Sequence, residues 1–170
     1  MFRLSPLILL LVVLIRPGAD AQVNWHAQTG VSYIEHFSLG FGVTLKEKHE
    51  ITALYGSDVF TDIDNFSSLL MEYKRHFKHA GYKGFVPFAG IKGGQTIFTD
   101  HYYRWKLASV IPFTGISHTY DNHITFFVQG GITISFEQTV KRLDYGEIGH
   151  YREFLPELKI GAVYHFKKQS

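Results

Sequence analysis

The sequence predicts an all-β fold, an eight-stranded antiparallel up-and-down transmembrane β-barrel. Between residues 25 and 166, eight runs of alternating apolar and polar residues are separated by polar or glycine-containing breaks, without a sustained helical period. The polar faces of the second and seventh runs carry mostly Ser, Thr, Gly and Gln, which suits a crowded barrel interior better than a surface in water. The connections between runs also alternate in length, as they do in barrels that cross a membrane.

The N-terminal residues have the pattern of a secretory signal. Arg3 provides a positive start, an apolar run follows from Leu7 to Ile15, and Ala19 and Ala21 form a small-residue cleavage site. The apolar run is shorter than the roughly 20 residues that a membrane helix needs. We therefore expect residues 1–21 to be a cleaved signal peptide and residues 22–170 to form one exported β-barrel domain.

The composition excludes several classes of protein. Without residues 1–21 the chain is nearly neutral, which disfavours a nucleic-acid partner. The chain has no cysteine, so hydrogen bonding and packing must hold it together. Charged residues make up 19% of the sequence, compared with roughly 25% in soluble domains. No motif indicates a cofactor.

The first four runs alternate in a regular way. The first run, about residues 25–34, turns at Glu35–His36 into the second, residues 37–45. A tight polar turn at residues 46–49 precedes the third run, residues 50–60, and residues 61–65 form a loop. In the fourth run, Leu69, Met71, Tyr73 and Phe77 share one face, and the opposite face carries Glu72 and Lys74.

The last four runs are longer. The fifth spans about residues 85–98, and its pattern leaves open which side chains face inward. An aromatic-rich loop is expected at residues 99–105, before a sixth run that extends to about residue 120. The seventh has the clearest alternation, with Phe126, Val128 and Ile132 opposite Gln129 and Thr133. A long polar stretch, residues 141–153, precedes the final strand, residues 158–166.

Charged residues on the polar faces include both signs, which suits an internal network because a charge removed from water needs a partner. The predicted polar residues of the lumen, with a structural role, are Glu72, Lys74, Lys92, Gln129, Glu137, Glu157 and Lys159. The predicted interior is filled by side chains, so we expect no open pore.

Connection lengths predict which end of the barrel faces outward. An exported chain with an even number of strands keeps both termini in the periplasm, where connections are short. The connections at 46–49, 78–83 and 121–123 are short, and most of the others are longer. Residues of the longer connections are candidates for contact with an extracellular or envelope protein partner: His101, Tyr102, Tyr103, Arg104, Trp105, Tyr145 and Tyr151.

The last strand contains Lys159, Gly161, Tyr164 and Phe166, in an order that resembles the C-terminal assembly signal of bacterial outer-membrane barrels. Over residues 25–166 the chain resembles the small eight-stranded barrels of the OmpA and OmpX transmembrane type, with glycine-punctuated strands similar to those of Bacteroidetes barrels. The resemblance implies location in a Gram-negative outer membrane, contact with its lipid, insertion by the barrel-assembly machinery and no enzymatic activity.

Two other functions fit parts of the sequence. Ser117, His118 and Asp121 offer a nucleophile, a base and an acid, so a lipid-modifying hydrolase or acyltransferase is one alternative. A secreted lipocalin-like lipid carrier is another, because alternation alone does not show which face is inside. Metal binding by His118 with His123, or by His76 with His79, is disfavoured because their odd spacing places the imidazoles on opposite sides of a strand.

Overall fold

The computed structural model describes residues 23–32, 35–58, 65–78, 84–99, 102–120, 123–142, 146–150 and 154–166. The predicted signal peptide lies outside these ranges. The strands are β1 (Val23–Ser32), β2 (His36–Leu45), β3 (His49–Ser57), β4 (Asn65–His76), β5 (Phe85–Thr99), β6 (Tyr103–Thr119), β7 (Ile124–Arg142), β8 (Gly146–His150) and β9 (Phe154–His165). Within the described ranges, no helix is long and apolar enough to cross a membrane.

The strands close into a barrel in which all pairings are antiparallel. Each strand from β1 to β7 pairs with the next, and β9 pairs with both β7 and β1. β8 continues the line of β9 along β7, because Ile134 pairs with Phe154 and Thr139 pairs with His150. β8 and β9 therefore occupy one position, and the predicted eight-stranded up-and-down barrel is confirmed.

The alternation of the sequence appears in the structure as an apolar exterior and a polar interior. Phe126, Val128 and Ile132 on β7 are 54%, 44% and 54% exposed, whereas Gln129 and Thr133 between them are 2% and 0% exposed. Other strands repeat this arrangement, with exposed Leu39 and Phe41 on the exterior of β2, for example. The predicted facing is confirmed, and the lipocalin-like alternative is wrong because it requires the apolar face inside.

The fifth strand, whose facing the sequence left open, follows the same rule. Phe88 and Lys92 are buried in the lumen, whereas Pro87 and Ile91 are exposed on the outside. The strand contains Gly90, Gly93 and Gly94. Because glycine has no side chain, these positions interrupt the alternation of apolar and polar residues in the sequence.

Three interior glycines accommodate phenylalanine rings from neighbouring strands. Phe113 pairs with Gly90, Phe88 pairs with Gly115, and Phe127 pairs with Gly161. A Cβ atom built on any of these glycines would lie 2.5–2.6 Å from a ring carbon of its partner. The three rings and Val163 form a buried apolar cluster. Glycine at these positions therefore allows large side chains to fill a narrow interior.

The strands extend further on one side of the barrel than the sequence predicted. β6 contains 17 residues and β7 contains 19. The predicted loop at 99–105 is wrong in its second half, because Tyr103–Trp105 belong to β6 and pair with β5 and β7. The predicted polar loop at 141–153 is also partly wrong, since β8 lies within it. Backbone pairing continues beyond the apolar runs, where a hydrophobicity pattern gives no signal.

Candidate functional site

The lumen contains a buried cluster of four charged residues, Glu35, Lys92, Glu157 and Lys159. The Glu35 carboxylate accepts hydrogen bonds from the ammonium groups of both Lys92 and Lys159. Lys92 Nζ also lies 2.5 Å from Glu157 Oε1. Each lysine in this cluster has at least one carboxylate partner, as a buried cation requires.

Glu35 is the member of this cluster that the sequence prediction missed. It lies in the turn between β1 and β2, and by simple alternation it would share the outward face of Phe37 and Leu39. The backbone of His36 has a φ of 51°, which breaks the alternation and turns Glu35 into the lumen. The Glu35 backbone N–H also donates to Ser32 Oγ at 2.9 Å. No period-based rule would have revealed this inward turn.

A second buried cluster contains Gln28, Glu72, Lys74 and Gln129. Lys74 Nζ lies 2.9 Å from Glu72 Oε1 and donates to Gln28 Oε1 at 2.8 Å. Gln28 and Gln129 donate from Nε2 to the two oxygens of Glu72, at 2.9 and 3.4 Å. Lys74 Nζ also lies 4.1 Å from the ring centroid of Phe127. This cluster ties three strands together and rests on the apolar ring cluster.

A third group lies nearer the barrel end at which β1 begins and β9 ends. Both ring nitrogens of His26 hydrogen-bond with threonine hydroxyls, Thr44 at 3.1 Å and Thr52 at 2.8 Å. His76 Nε2 lies 3.2 Å from Glu50 Oε1. The histidines in this part of the lumen are therefore held among polar groups of the barrel wall.

Among the described residues, the buried lumen charges are nearly balanced, with four carboxylates and three ammonium groups. The predicted residues Glu72, Lys74, Lys92, Gln129, Glu157 and Lys159 all lie inside the barrel. The Glu137 side chain is outside the described part of the structure. Such an arrangement fills and cross-links the interior.

The candidate catalytic residues do not form a catalytic arrangement. Ser117 is buried and its hydroxyl donates to the Val86 carbonyl oxygen at 3.3 Å. His118, the next residue on β6, points to the outer surface and packs on exposed Phe85, with ring centroids 5.1 Å apart. A serine and a histidine on opposite faces of a barrel wall cannot exchange a proton. Asp121 lies outside the described residues.

The histidine pairs considered for metal binding do not form a site where the structure describes them. The described residues contain no group of three or more His, Cys, Asp or Glu that could hold a metal ion. His123 stacks on Tyr164, and its Nδ1 lies 3.2 Å from the His165 carbonyl oxygen. His79 falls outside the described ranges.

The predicted assembly-signal residues divide between the two faces of β9. Lys159 and Gly161 face the lumen, where they contact Glu35 and Phe127. Tyr164 and Phe166 face outward, with ring centroids 5.3 Å apart. Phe166 N–H donates to the Trp25 carbonyl oxygen at 2.9 Å, so this end of the chain is joined to β1 where the barrel closes.

The candidate outer-loop residues are only partly described. Tyr102 is 63% exposed at the connection before β6. Trp105 stacks on Phe98 of β5 with ring centroids 5.3 Å apart, and Arg104 beside it is exposed. His101, Tyr145 and Tyr151 lie outside the described residues.

An apolar exterior around a charged, hydrogen-bonded interior defines a transmembrane-type β-barrel. The structure is similar to the N-terminal β-barrel domain of Pseudomonas aeruginosa OprF, with a TM-score of 0.53 and 15% identity over 86% of this chain and 100% of that domain. It also matches a major outer membrane protein from Thermus thermophilus, with a TM-score of 0.49 and 9% identity over 85% of this chain and 100% of that one. The similarity to the OprF domain confirms the predicted resemblance in fold to small eight-stranded outer-membrane barrels. No family model and no curated protein matches the chain, and the likeness to Bacteroidetes barrels stays a prediction.

Proposed function

We propose that the protein is an integral outer-membrane β-barrel with a structural, adhesive or envelope-complex role and no enzymatic activity. The observation that supports this proposal is the reversed burial, with phenylalanine, leucine and isoleucine exposed around the barrel while lysine and glutamate are buried. In water this exterior would be an aggregation surface, whereas in a bilayer it faces acyl chains. Outer-membrane lipid is therefore the first partner of the chain.

The proposed route to the membrane is export through a cleaved signal peptide, followed by insertion by the barrel-assembly machinery. Exposed Tyr164 and Phe166 on the outer face at the C-terminal end are the aromatic residues of the proposed recognition signal. In the proposed orientation, both chain termini face the periplasm and the long connections face outward, which suits insertion of an even number of strands from the periplasmic side.

Membrane fractionation and gel mobility test this location. We expect the protein to sediment with outer membranes after carbonate extraction, and to migrate differently before and after boiling because a closed barrel resists detergent until it is heated. Recovery in the soluble periplasm would contradict the proposal. Mass spectrometry of the extracted protein would show whether the chain begins at Gln22, as cleavage after Ala21 requires.

We also propose that the barrel conducts no steady ion current. The support is the filling of the lumen, where the charged clusters and the ring cluster of Phe88, Phe113 and Phe127 occupy successive parts of the interior. Planar-bilayer recordings of the purified barrel should show no sustained conductance above that of the lipid. A stable ohmic channel in most insertion events would refute the closed lumen.

We propose that an extracellular or envelope protein partner contacts the longer connections. Exposed Tyr102 and Arg104 lie on this side of the barrel, and binding groups are commonly carried by loops on a rigid scaffold. Cell-surface crosslinking of barrels in which residues 100–102 or 143–153 are replaced by Gly-Ser turns would test the location. Partner capture should be lost in at least one variant while the heat-dependent gel shift is kept, and capture retained by both would exclude these connections.

A further inference from the structure

The barrel end at which β1 begins and β9 ends has a group of basic residues on its outer surface, Lys46, Lys48 and Arg75, which we name the basic rim. The exposed Lys78 lies close by in the chain, and Glu47 is the acidic residue of the same turn. Within the described residues, none of the three basic side chains forms an ion pair. Three positive charges against the single carboxylate of Glu47 leave this part of the surface net positive and able to attract an anion.

Strand pairing brings the three residues together. Lys46 and Lys48 occupy the turn between β2 and β3, and Arg75 is near the end of β4. His49 pairs directly with Arg75 across the strands. The His76 backbone N–H donates to the Lys48 carbonyl oxygen at 2.8 Å, which holds the turn against β4. The basic rim is therefore a consequence of the register between β3 and β4.

The basic rim lies at the edge of the apolar exterior, among its last aromatic residues. Leu69, Met71 and Tyr73 are exposed along the outer face of β4, Arg75 is the next residue on that face, and exposed Phe77 follows it. The Tyr73 hydroxyl is hydrogen-bonded to His49 Nδ1 at 2.8 Å. Tyrosine with a polar partner at the edge of an apolar surface is typical of the depth at which lipid headgroups lie. Arg75 can extend its guanidinium from there into the headgroup layer.

The turn that carries the lysines has an unusual backbone. Lys46 and Glu47 have φ values of 50° and 55°, and the Lys48 N–H donates to the Leu45 carbonyl oxygen at 3.2 Å. β-turns with positive φ at both central residues favour asparagine and glycine, which adopt this conformation at less cost. Here the two positions hold long charged side chains instead. Strain of this kind is found most often where a side chain has a role beyond the fold.

We propose that Lys46, Lys48 and Arg75 bind the phosphate of an anionic glycerophospholipid headgroup in the leaflet at this end of the barrel. This inference rests on the proposed function, because it requires the apolar exterior to lie in a bilayer. The Arg75 guanidinium can donate two parallel hydrogen bonds to phosphate oxygens, and the two lysines add point charges. Each positive charge near a membrane surface contributes about fivefold to anionic-lipid affinity.

Native mass spectrometry of the full barrel in detergent tests the proposal, with phosphatidylglycerol or phosphatidylcholine added. We expect phosphatidylglycerol to be retained about 25-fold better than phosphatidylcholine, which is what two such charges contribute at about fivefold each. The variant K46N/K48Q/R75Q should lose this preference, and asparagine at position 46 suits the turn. Arg75→Gln alone should reduce the preference about fivefold. Lys106→Gln is the matched control, because Lys106 is exposed on the outer face of β6 at the other end of the barrel, and it should leave the preference unchanged.

Competition with inorganic phosphate shows whether the basic rim binds the phosphate of a lipid headgroup or free phosphate. A lipid site should keep its phosphatidylglycerol in millimolar phosphate, whereas complete displacement would indicate a site for free phosphate and overturn the proposal. Equal retention of both lipids, or equal loss in Arg75→Gln and Lys106→Gln, would also overturn it. Vesicle insertion and the heat-dependent gel shift are measured in parallel. If the native chain neither inserts nor shows the gel shift, the proposed function is refuted. If it does both but retains the two lipids equally, only the proposed lipid binding by the basic rim is refuted.

Discussion

Replacement of Glu35 by glutamine should strongly destabilise the barrel. Glu35 is fully buried, and its carboxylate forms ion pairs with both Lys92 and Lys159. Glutamine keeps the size of the side chain but removes its charge. Lys92 would keep Glu157 as a partner, whereas Lys159 would lose its only ion pair among the described residues. Removal of one partner from a buried pair costs about 3–5 kcal/mol, because the remaining charge has neither water nor a counter-charge.

A second substitution tests whether the unpaired ammonium of Lys159 is the cause. Lys159→Met in the Glu35→Gln background removes the orphaned charge and leaves a side chain that can fill the same space. The double variant should be more stable than Glu35→Gln alone, with a coupling free energy of about 2–3 kcal/mol. Two neutral residues of similar volume in place of a buried ion pair generally cost less than the removal of one partner.

The assay is urea unfolding of the barrel from phospholipid vesicles, followed by tryptophan fluorescence and by the heat-dependent gel shift. Lys106→Gln serves as the control, because its exposed side chain should change the free energy of unfolding by less than about 0.5 kcal/mol. A Glu35→Gln barrel as stable as the control would refute the reasoning. So would a double variant that is less stable than Glu35→Gln, since rescue depends on removal of the unpaired charge.

Two further predictions use the same unfolding assay. Gly161→Ala should destabilise the barrel by about 1–3 kcal/mol. The added Cβ would clash with the Thr29 carbonyl oxygen and would lie 2.6 Å from Phe127 Cζ. Gly130→Ala is the control and should have little effect, because the nearest atom to its added Cβ would be 3.9 Å away. Equal unfolding midpoints would exclude a packing role for Gly161. Glu47→Gly should stabilise the hairpin by about 1 kcal/mol because glycine adopts positive φ freely, and a lower midpoint would count against strain at this turn.

The facing of most strands could be predicted from the sequence, because alternation is a local property of each strand. Phe126, Val128 and Ile132 lie outside and Gln129 inside, as their spacing indicates. The fifth strand was ambiguous because its glycines interrupt the pattern. The same alternation predicted the polar residues of the lumen. The structure buries the predicted charged residues on inward positions of regular strands, among them Glu72, Lys74, Lys92, Glu157 and Lys159.

Prediction from the sequence failed where the backbone leaves the extended conformation. Glu35 has the outward phase of the adjoining strand β2, and the positive φ of His36 turns it inward. The extensions of β6 and β7 were missed for a related reason. Backbone pairing continues there beyond the apolar runs from which the strands were predicted.

The sequence alone determined that each strand has an apolar and a polar face, because a period of two sorts side chains onto two faces wherever the strand pairs. The small residues of the polar faces favoured their position in a crowded lumen. Only the tertiary structure decided which charges meet. Lys92 on β5 contacts Glu35 beside β2 and Glu157 on β9, and neither β2 nor β9 is a sheet neighbour of β5. Their meeting depends on the closure of the sheet and the stagger of its strands, which bring side chains together across the lumen.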